Sequence, residues 1–157
     1  MYERILTPVD GSQPSDVAAD HAIALTRDAD ATLPVVSVVD VKALSAARLD
    51  TEALRDGYEA ERHVAAVAER AHGSGVDVET GVVRGTPYRS ILDHVDTVDA
   101  DLVVMDSRGR RGLERSLLGS TTERVLRPCP IPVLVGRGES RDYQDPDANA
   151  RTGSLDA

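Results

Sequence analysis

Asp101-Leu102-Val103-Val104-Met105-Asp106-Ser107-Arg108-Gly109, followed after residues 110 to 118 by Gly119-Ser120-Thr121-Thr122, is the stretch that decides the fold. Leu102 to Met105 is an uninterrupted apolar run, as expected of a parallel strand buried on both faces. The glycines behind it predict a loop, and the Ser/Thr run predicts a helix start. Together they make a phosphate-binding geometry, because the amides of a glycine-permitted turn and the free N–H groups opening a helix can converge on an anion. The ligand this pattern points to is a nucleotide.

Working outward, apolar runs alternate with helix-compatible stretches. Residues 4 to 9 predict a first strand, ended by Asp10-Gly11-Ser12. Ser12 is placed to cap a helix with Pro14 in its first turn and an apolar stripe of Val17, Ala18, His21, Ala22, Ala24 and Leu25. Residues 35 to 39 predict a second strand with Pro34 at its opening. A crossover over residues 40 to 50 leads to a helix over about 51 to 72, whose stripe reads Leu54, Tyr58, Val64, Val67, Ala68 and Ala71. Residues 76 to 83 predict a third strand, and Thr86-Pro87 a capped helix carrying Ile91, Leu92 and Val95. After the central stretch come a helix over about 119 to 127 and a fifth strand over 131 to 135. This β-α alternation, with continuous Val/Leu runs, predicts an α/β fold: a five-stranded, mainly parallel sheet with helices on both faces.

At 157 residues the chain has room for one domain with a two-sided core. We expect that domain over 1 to 137, and a disordered acidic tail over 138 to 157, where Gly, Ser, Asp, Asn and Pro replace apolar residues. A single cysteine, Cys129, excludes an internal disulfide framework and fits a reducing compartment. No run approaches the roughly 20 apolar residues needed to span a bilayer, and the start resembles no signal peptide, so a cytoplasmic location without a membrane partner is expected. A net charge of −9 argues against a nucleic-acid partner. Lys42 is the only lysine, and Phe and Trp are absent, which suits a salt-adapted (halophilic), high-GC source as well as an ordinary acidic bacterial one.

Catalytic signatures are lacking. No Gly-x-x-x-x-Gly-Lys-Ser/Thr loop supplies a P-loop lysine, and no Gly-x-Ser-x-Gly elbow is present. His21, His63, His72 and His94 are scattered over three predicted helices without i, i+4 pairing toward a metal, so no metal-ligating set is expected. Cys129, between prolines, reads as a packed small hydrophobe.

Several separated segments resemble the universal stress protein family. They are Ile5-Leu6-Thr7-Pro8-Val9-Asp10-Gly11-Ser12, Val38-Val39-Asp40, Gly85-Thr86-Pro87, the Gly109-(nine residues)-Gly119-Ser120 pattern and Ile131-Pro132-Val133-Leu134-Val135. The resemblance spans about residues 2 to 137. It implies a Rossmann-like fold of the adenine nucleotide α-hydrolase type and an adenine nucleotide, ATP or AMP, as cofactor, with Mg²⁺ a candidate companion of the phosphates. Pro8, Val9 and Asp10 would border base and ribose, with Asp10 hydrogen-bonding one of them. Val38 would contact the adenine face and Met105 would close that slot. Gly109, Gly119, Ser120, Thr121 and Thr122 would offer N–H and hydroxyl donors to the phosphates.

One position departs from the family pattern. Members that bind ATP carry Gly-x-x-Gly-x9-Gly-Ser/Thr, whereas this chain has Asp106 in place of the first glycine. Glycine there would permit positive φ and close approach; aspartate adds a carboxylate whose repulsion of a phosphate ranges from about 1 kcal/mol in water to several when dehydrated. Asp106 could instead accept a hydrogen bond from a ribose hydroxyl, or cap its own loop. Arg108, with Arg110, Arg111 and Arg115, forms the densest basic run, suited either to phosphate or to salt bridges with neighbouring acids.

The expectation is therefore a nucleotide-binding regulatory module of the stress response, not an enzyme, although a slow ATPase activity stays open. The alternative is a nucleotide-free interaction protein in which the glycine loop is structural and Asp106 blocks ATP. An adenylating or ATP-pyrophosphatase enzyme is a distant third, since Val9-Asp10-Gly11-Ser12-Gln13 lacks the glycine-serine loop such enzymes carry. A homodimer through the last strand, Pro132 to Val135, would cover an apolar sheet edge, and a further protein partner is left unidentified.

Overall fold

The computed structural model describes residues 1–42, 49–107 and 118–137, with 49 and 50 described by their backbone alone. Arg108, Gly109 and the arginines behind them lie outside the described residues, as does the expected tail over 138 to 157. In chain order the elements are β1 (Ile5–Pro8), α1 (Gln13–Ala29), β2 (Thr32–Asp40), α2 (Leu49–Gly73), β3 (Asp77–Gly85), α3 (Pro87–Thr97), β4 (Leu102–Asp106), α4 (Ser120–Leu126) and β5 (Val133–Gly136). All strand pairs are parallel, in the order β3-β2-β1-β4-β5.

Alternation along the strands divides the core in two. Ile5, Val9, Leu33, Val35, Leu102 and Val104 face α1 and α2, together with Ala19, Ala22, Ile23, Val64, Val67 and Ala71. Leu6, Val36, Val103 and Met105 face α3 and α4, against Ile91, Val95 and Val125. Cys129 packs on this second cluster, as its apolar setting led us to expect. Each fully buried aliphatic side chain contributes about 1.5–3 kcal/mol, and most of them come from the three inner strands.

Local chemistry sets the helix ends. Ser12 is extended, and its Oγ accepts from Ser15 N–H at 3.3 Å, with proline in the first turn and Asp16 complementing the helix dipole. Thr86 is the N-cap of α3 by position, with Pro87 first in the helix, yet its hydroxyl makes no capping bond.

Two predicted stripes are corrected. In α1 the inward arc is Ser15, Ala18, Ala19, Ala22, Ile23 and Thr26, while His21 and Leu25 are exposed. Small alanines let the helix approach the sheet closely, which rotates the bulkier Val17, His21 and Leu25 to its flank. In α2 the arc is Ala53, Ala60, Val64, Val67 and Ala71, whereas Leu54 and Tyr58 are 61% and 68% exposed. A 25-residue helix is about 37 Å long and a nine-residue strand only about 30 Å, so the first turns of α2 overhang the sheet.

Strand β2 also starts earlier than predicted, with Pro34 third in it rather than at its opening. The ladder to β3 is continuous, from Thr32↔Asp77 to Asp40↔Gly85. Toward β1 it breaks: an isolated bridge joins Arg4 and Thr32, and pairing resumes at Thr7↔Val35. The gap falls at Pro34, which has no N–H to give, so a buried proline is tolerated at the cost of one rung on one side.

Candidate ligand site at the sheet's switch point

The seam between β1 and β4 is closed at one end and open at the other. At the amino end, the Asp101 carboxylate accepts from Glu3 N–H (2.7 Å) and Arg4 N–H (3.2 Å), and Asp101 N–H donates to Arg4 O (3.0 Å). Ladder pairs then join Ile5 with Leu102 and Leu6 with Val103. At the next step it is the Thr7 hydroxyl that reaches Val104 O, at 2.9 Å. Beyond it, β1 pairs only with β2, and Val9 N–H donates to Val36 O at 2.8 Å. The strands β2 and β3 lie to one side of β1 and β4 and β5 to the other, so the opening sits where an open α/β sheet places its ligand.

Around this mouth the structure brings together several residues expected from the sequence. Val38 and Met105 belong to the α3/α4 face, Val38 half-buried and Met105 almost fully buried. Pro8, two residues past Leu6, shares that face and is half-buried. These three form an apolar wall at the carboxyl ends of β1, β2 and β4. Val9 does not join it: its side chain is buried in the α1/α2 cluster, so only its backbone can border the mouth. Asp10 anchors its own turn, its Oδ1 accepting from Ser12 N–H at 2.9 Å, while its N–H donates to Ser15 Oγ at 3.0 Å.

The opening of α4 needs a second correction. Gly119 N–H donates to Ser107 O (2.5 Å), and Ser107 N–H to Gly136 O (3.1 Å). Thr122 is buried, and its hydroxyl donates to Asp106 O at 2.8 Å. The Gly119 amide and the Thr122 hydroxyl, expected as phosphate donors, thus fasten α4 to the end of β4. Ser120 and Thr121 keep first-turn positions, whose N–H groups have no acceptor within a helix. Ser120 is exposed and Thr121 half-buried.

Asp106 does not occupy a glycine-only conformation. It is the last residue of β4, paired with Gly136, and the non-glycine residues with positive φ among those described are Asp30 and Asp99. Alternation from Met105 directs its side chain to the α1/α2 face, away from the apolar wall. It is 8% exposed.

Other features were not legible beforehand. The His63 ring lies on Gly11, whose φ is +80°; a Cβ there would fall 2.2 Å from Nε2. This contact locks α2 onto the loop that follows β1, beside an open cleft of about 630 Å³ walled by Glu59, Arg62, Glu69 and Arg70. Tyr88 of α3 carries the guanidinium groups of Arg89 and Arg124 at 5.6 and 5.4 Å from its ring centre. Among the described residues, no group of three or more His, Cys, Asp or Glu is placed to hold a metal ion, and no helix is long and apolar enough to cross a membrane.

Sheet order and seam define a Rossmann-like α/β domain in which the end of the β1–β4 ladder lies at the switch point. The universal stress protein family is matched over residues 1–137, and this chain belongs to that family. Universal stress protein MJ0531 of Methanocaldococcus jannaschii is 39% identical over 142 residues, which cover 86% of this chain and 82% of the relative. Among solved structures, UspA from Lactobacillus plantarum superposes with a TM-score of 0.75 at 27% identity, covering 85% of this chain and 97% of its own. Two others share the fold at lower identity. A universal stress protein in complex with cAMP (TM-score 0.66, 24% identity) covers 88% of this chain and 98% of its own. One from Archaeoglobus fulgidus in complex with dAMP (TM-score 0.67, 20% identity) covers 85% and 97%.

Proposed function

We propose that this chain binds an adenine nucleotide, ATP or AMP, in the mouth between β1 and β4, and acts as a cytoplasmic, homodimeric regulatory module of the stress response rather than as an enzyme. The observation that carries this reading is the end of the β1–β4 ladder at Leu6 and Val103, followed only by the Thr7 hydroxyl on Val104 O, with Pro8, Val38 and Met105 forming an apolar wall on one side. A flat purine suits such a wall, and Asp10 stands at the end of β1 where a base or ribose hydroxyl would be met. The first turn of α4, at Ser120 and Thr121, begins beside β4 and would receive the phosphates. Mg²⁺ would arrive with the phosphates and neutralise part of their charge. The cAMP and dAMP complexes support the reading, since proteins of this fold hold adenine nucleotides.

Occupancy would act by stabilisation. Nucleotide at 100 times its Kd adds about 2.7 kcal/mol to the folded state, enough to bias a conformation that a protein partner reads. A nucleotide-free reading is favoured by one observation: the Gly119 amide and the Thr122 hydroxyl are already given to the chain's own carbonyls. Mass spectrometry of ligand released from purified protein, with calorimetry using ATP and AMP, separates the two. We expect micromolar binding; none at millimolar nucleotide leaves the interaction protein. Asp106→Asn should raise ATP affinity about fivefold, the equivalent of about 1 kcal/mol, and AMP affinity by less. Equal ATP affinity in both forms would show that the carboxylate exerts no repulsion at the site.

A further inference from the structure

The charged surface outside the mouth contains one arrangement that the fold does not require. Arg89 and Arg124 stand on different helices, α3 and α4, and both turn toward the ring of Tyr88. Arg89 Nε also donates to the Tyr88 hydroxyl at 2.8 Å. Asp93 lies one turn from Arg89, yet Arg89 does not pair with it. Glu123 is adjacent to Arg124, yet it pairs with Arg127 at 3.4 Å. Among the described residues neither Arg89 nor Arg124 has a carboxylate within ion-pair distance. In a chain of net charge −9, two guanidinium groups gathered on one ring without an acid leave a local positive field unspent. Stacking on the ring orders them and leaves their outer N–H groups to solvent.

The cluster's place relates it to the mouth. Arg124 lies four residues past Ser120, so the two share one face of α4 about 6 Å apart along the axis. Tyr88 is the second residue of α3, at the carboxyl end of β3, and packs on the cluster that holds Val38 and Met105. A chain of phosphates that left the first turn of α4 along that face would meet Arg124, which shares the Tyr88 ring with Arg89.

We propose that Tyr88, Arg89 and Arg124 form a subsite for the distal phosphates of a nucleoside polyphosphate, which makes the protein prefer ATP to AMP. This rests on the nucleotide reading above. Tyr88 acts as a positioning residue, its ring holding both guanidinium groups in place; the two arginines contact the phosphate oxygens.

Calorimetry of the full chain and of the Arg89→Gln/Arg124→Gln double variant, with ATP, AMP and inorganic pyrophosphate, tests it. Both arginines are exposed, so the fold should survive the change. In the unaltered chain ATP should bind more tightly than AMP, and the double variant should lose about tenfold in ATP affinity with AMP unchanged within about twofold. Tyr88→Phe should retain most of the ATP preference and Tyr88→Leu should lose it. Equal losses for ATP and AMP, or no loss for ATP, would overturn the proposal. Should the unaltered chain bind neither nucleotide, the nucleotide reading fails by itself. In that event, pyrophosphate binding that disappears in the double variant upholds the phosphate subsite, and pyrophosphate binding that is absent or unchanged refutes it.

Discussion

Gly11 shows how one residue can carry two constraints of different origin. Its φ of +80° is costly for any residue with a Cβ, and the His63 imidazole occupies the space that a Cβ would need. Gly75 has a similar φ of +75° with nothing within 4 Å of a Cβ, so it bears the first constraint alone. Gly75→Ala should therefore cost about 1 kcal/mol and about 3 °C in Tm, and Gly11→Ala about 3 kcal/mol and about 10 °C. Adding His63→Ala to Gly11→Ala should return most of the difference in a thermal melt. If the two single variants melt alike, the imidazole is not packed where the structure has it. The turn at Asp10-Gly11-Ser12 was legible because Asp-x-Ser bonds locally, from Ser12 N–H to Asp10 Oδ1. The imidazole above it was not, since 51 residues of chain lie between the two and no local pattern links them. At Asp106 the strand keeps ordinary extended geometry, so the aspartate that stands where the family pattern has glycine differs there by its side chain alone, which the sequence by itself could not separate from a change of backbone.

On helix α3 the fold shifts the titration of His94. His94 packs beneath β3, its Cε1 3.4 Å from where a Cβ on Gly81 would lie, and burial lowers its pKa from the ordinary 6.5. Well above pH 6.5 the ring is neutral in both folded and unfolded chains, and the contact contributes fully. As pH falls below 6.5 the unfolded chain takes up the proton first, so stability declines until the folded-state pKa is passed. Urea midpoints measured from about pH 7.5 to about pH 5 should fall, and His94→Gln should flatten part of that slope. An unaltered slope would assign the acid sensitivity to other groups. At this scale the strands and helices were largely readable, because buried parallel strands announce themselves as Val/Leu runs and helix starts as Ser-x-Pro or Thr-Pro. Helix faces were less so. Alanine-lined arcs such as Ala18, Ala19 and Ala22 look weakly hydrophobic, although closeness to the sheet makes them the buried side.

Across the whole molecule, β5 is an edge strand: it pairs with β4 on one side, and Leu134 is 41% exposed. Pairing of two such edges across a two-fold axis would remove an unprotected row of amides and carbonyls, and it is the assembly we propose. Leu134→Asp should convert a dimer to a monomer by light scattering at matched salt, with the circular dichroism spectrum unchanged. A monomeric mass for the unaltered chain would end the dimer proposal. The other edge, β3, is blunted by Asp77, Glu79 and Arg84, whose exposed charges discourage pairing. The sheet order could not be read from the chain, because each strand's apolar run says that it is buried and nothing of its neighbour. Once the order is known, the site follows from it.

The uneven seam between β1 and β4 has a mechanical corollary. Asp101 rivets the lower end, which denies the two strands any freedom to slip past one another, while above Thr7 no ladder pair joins them among the described residues. A molecule wedged into such a notch need break no existing rung to enter. Its grip would be felt as leverage on the parted tips, and so on the helices α1 and α4 that spring from them.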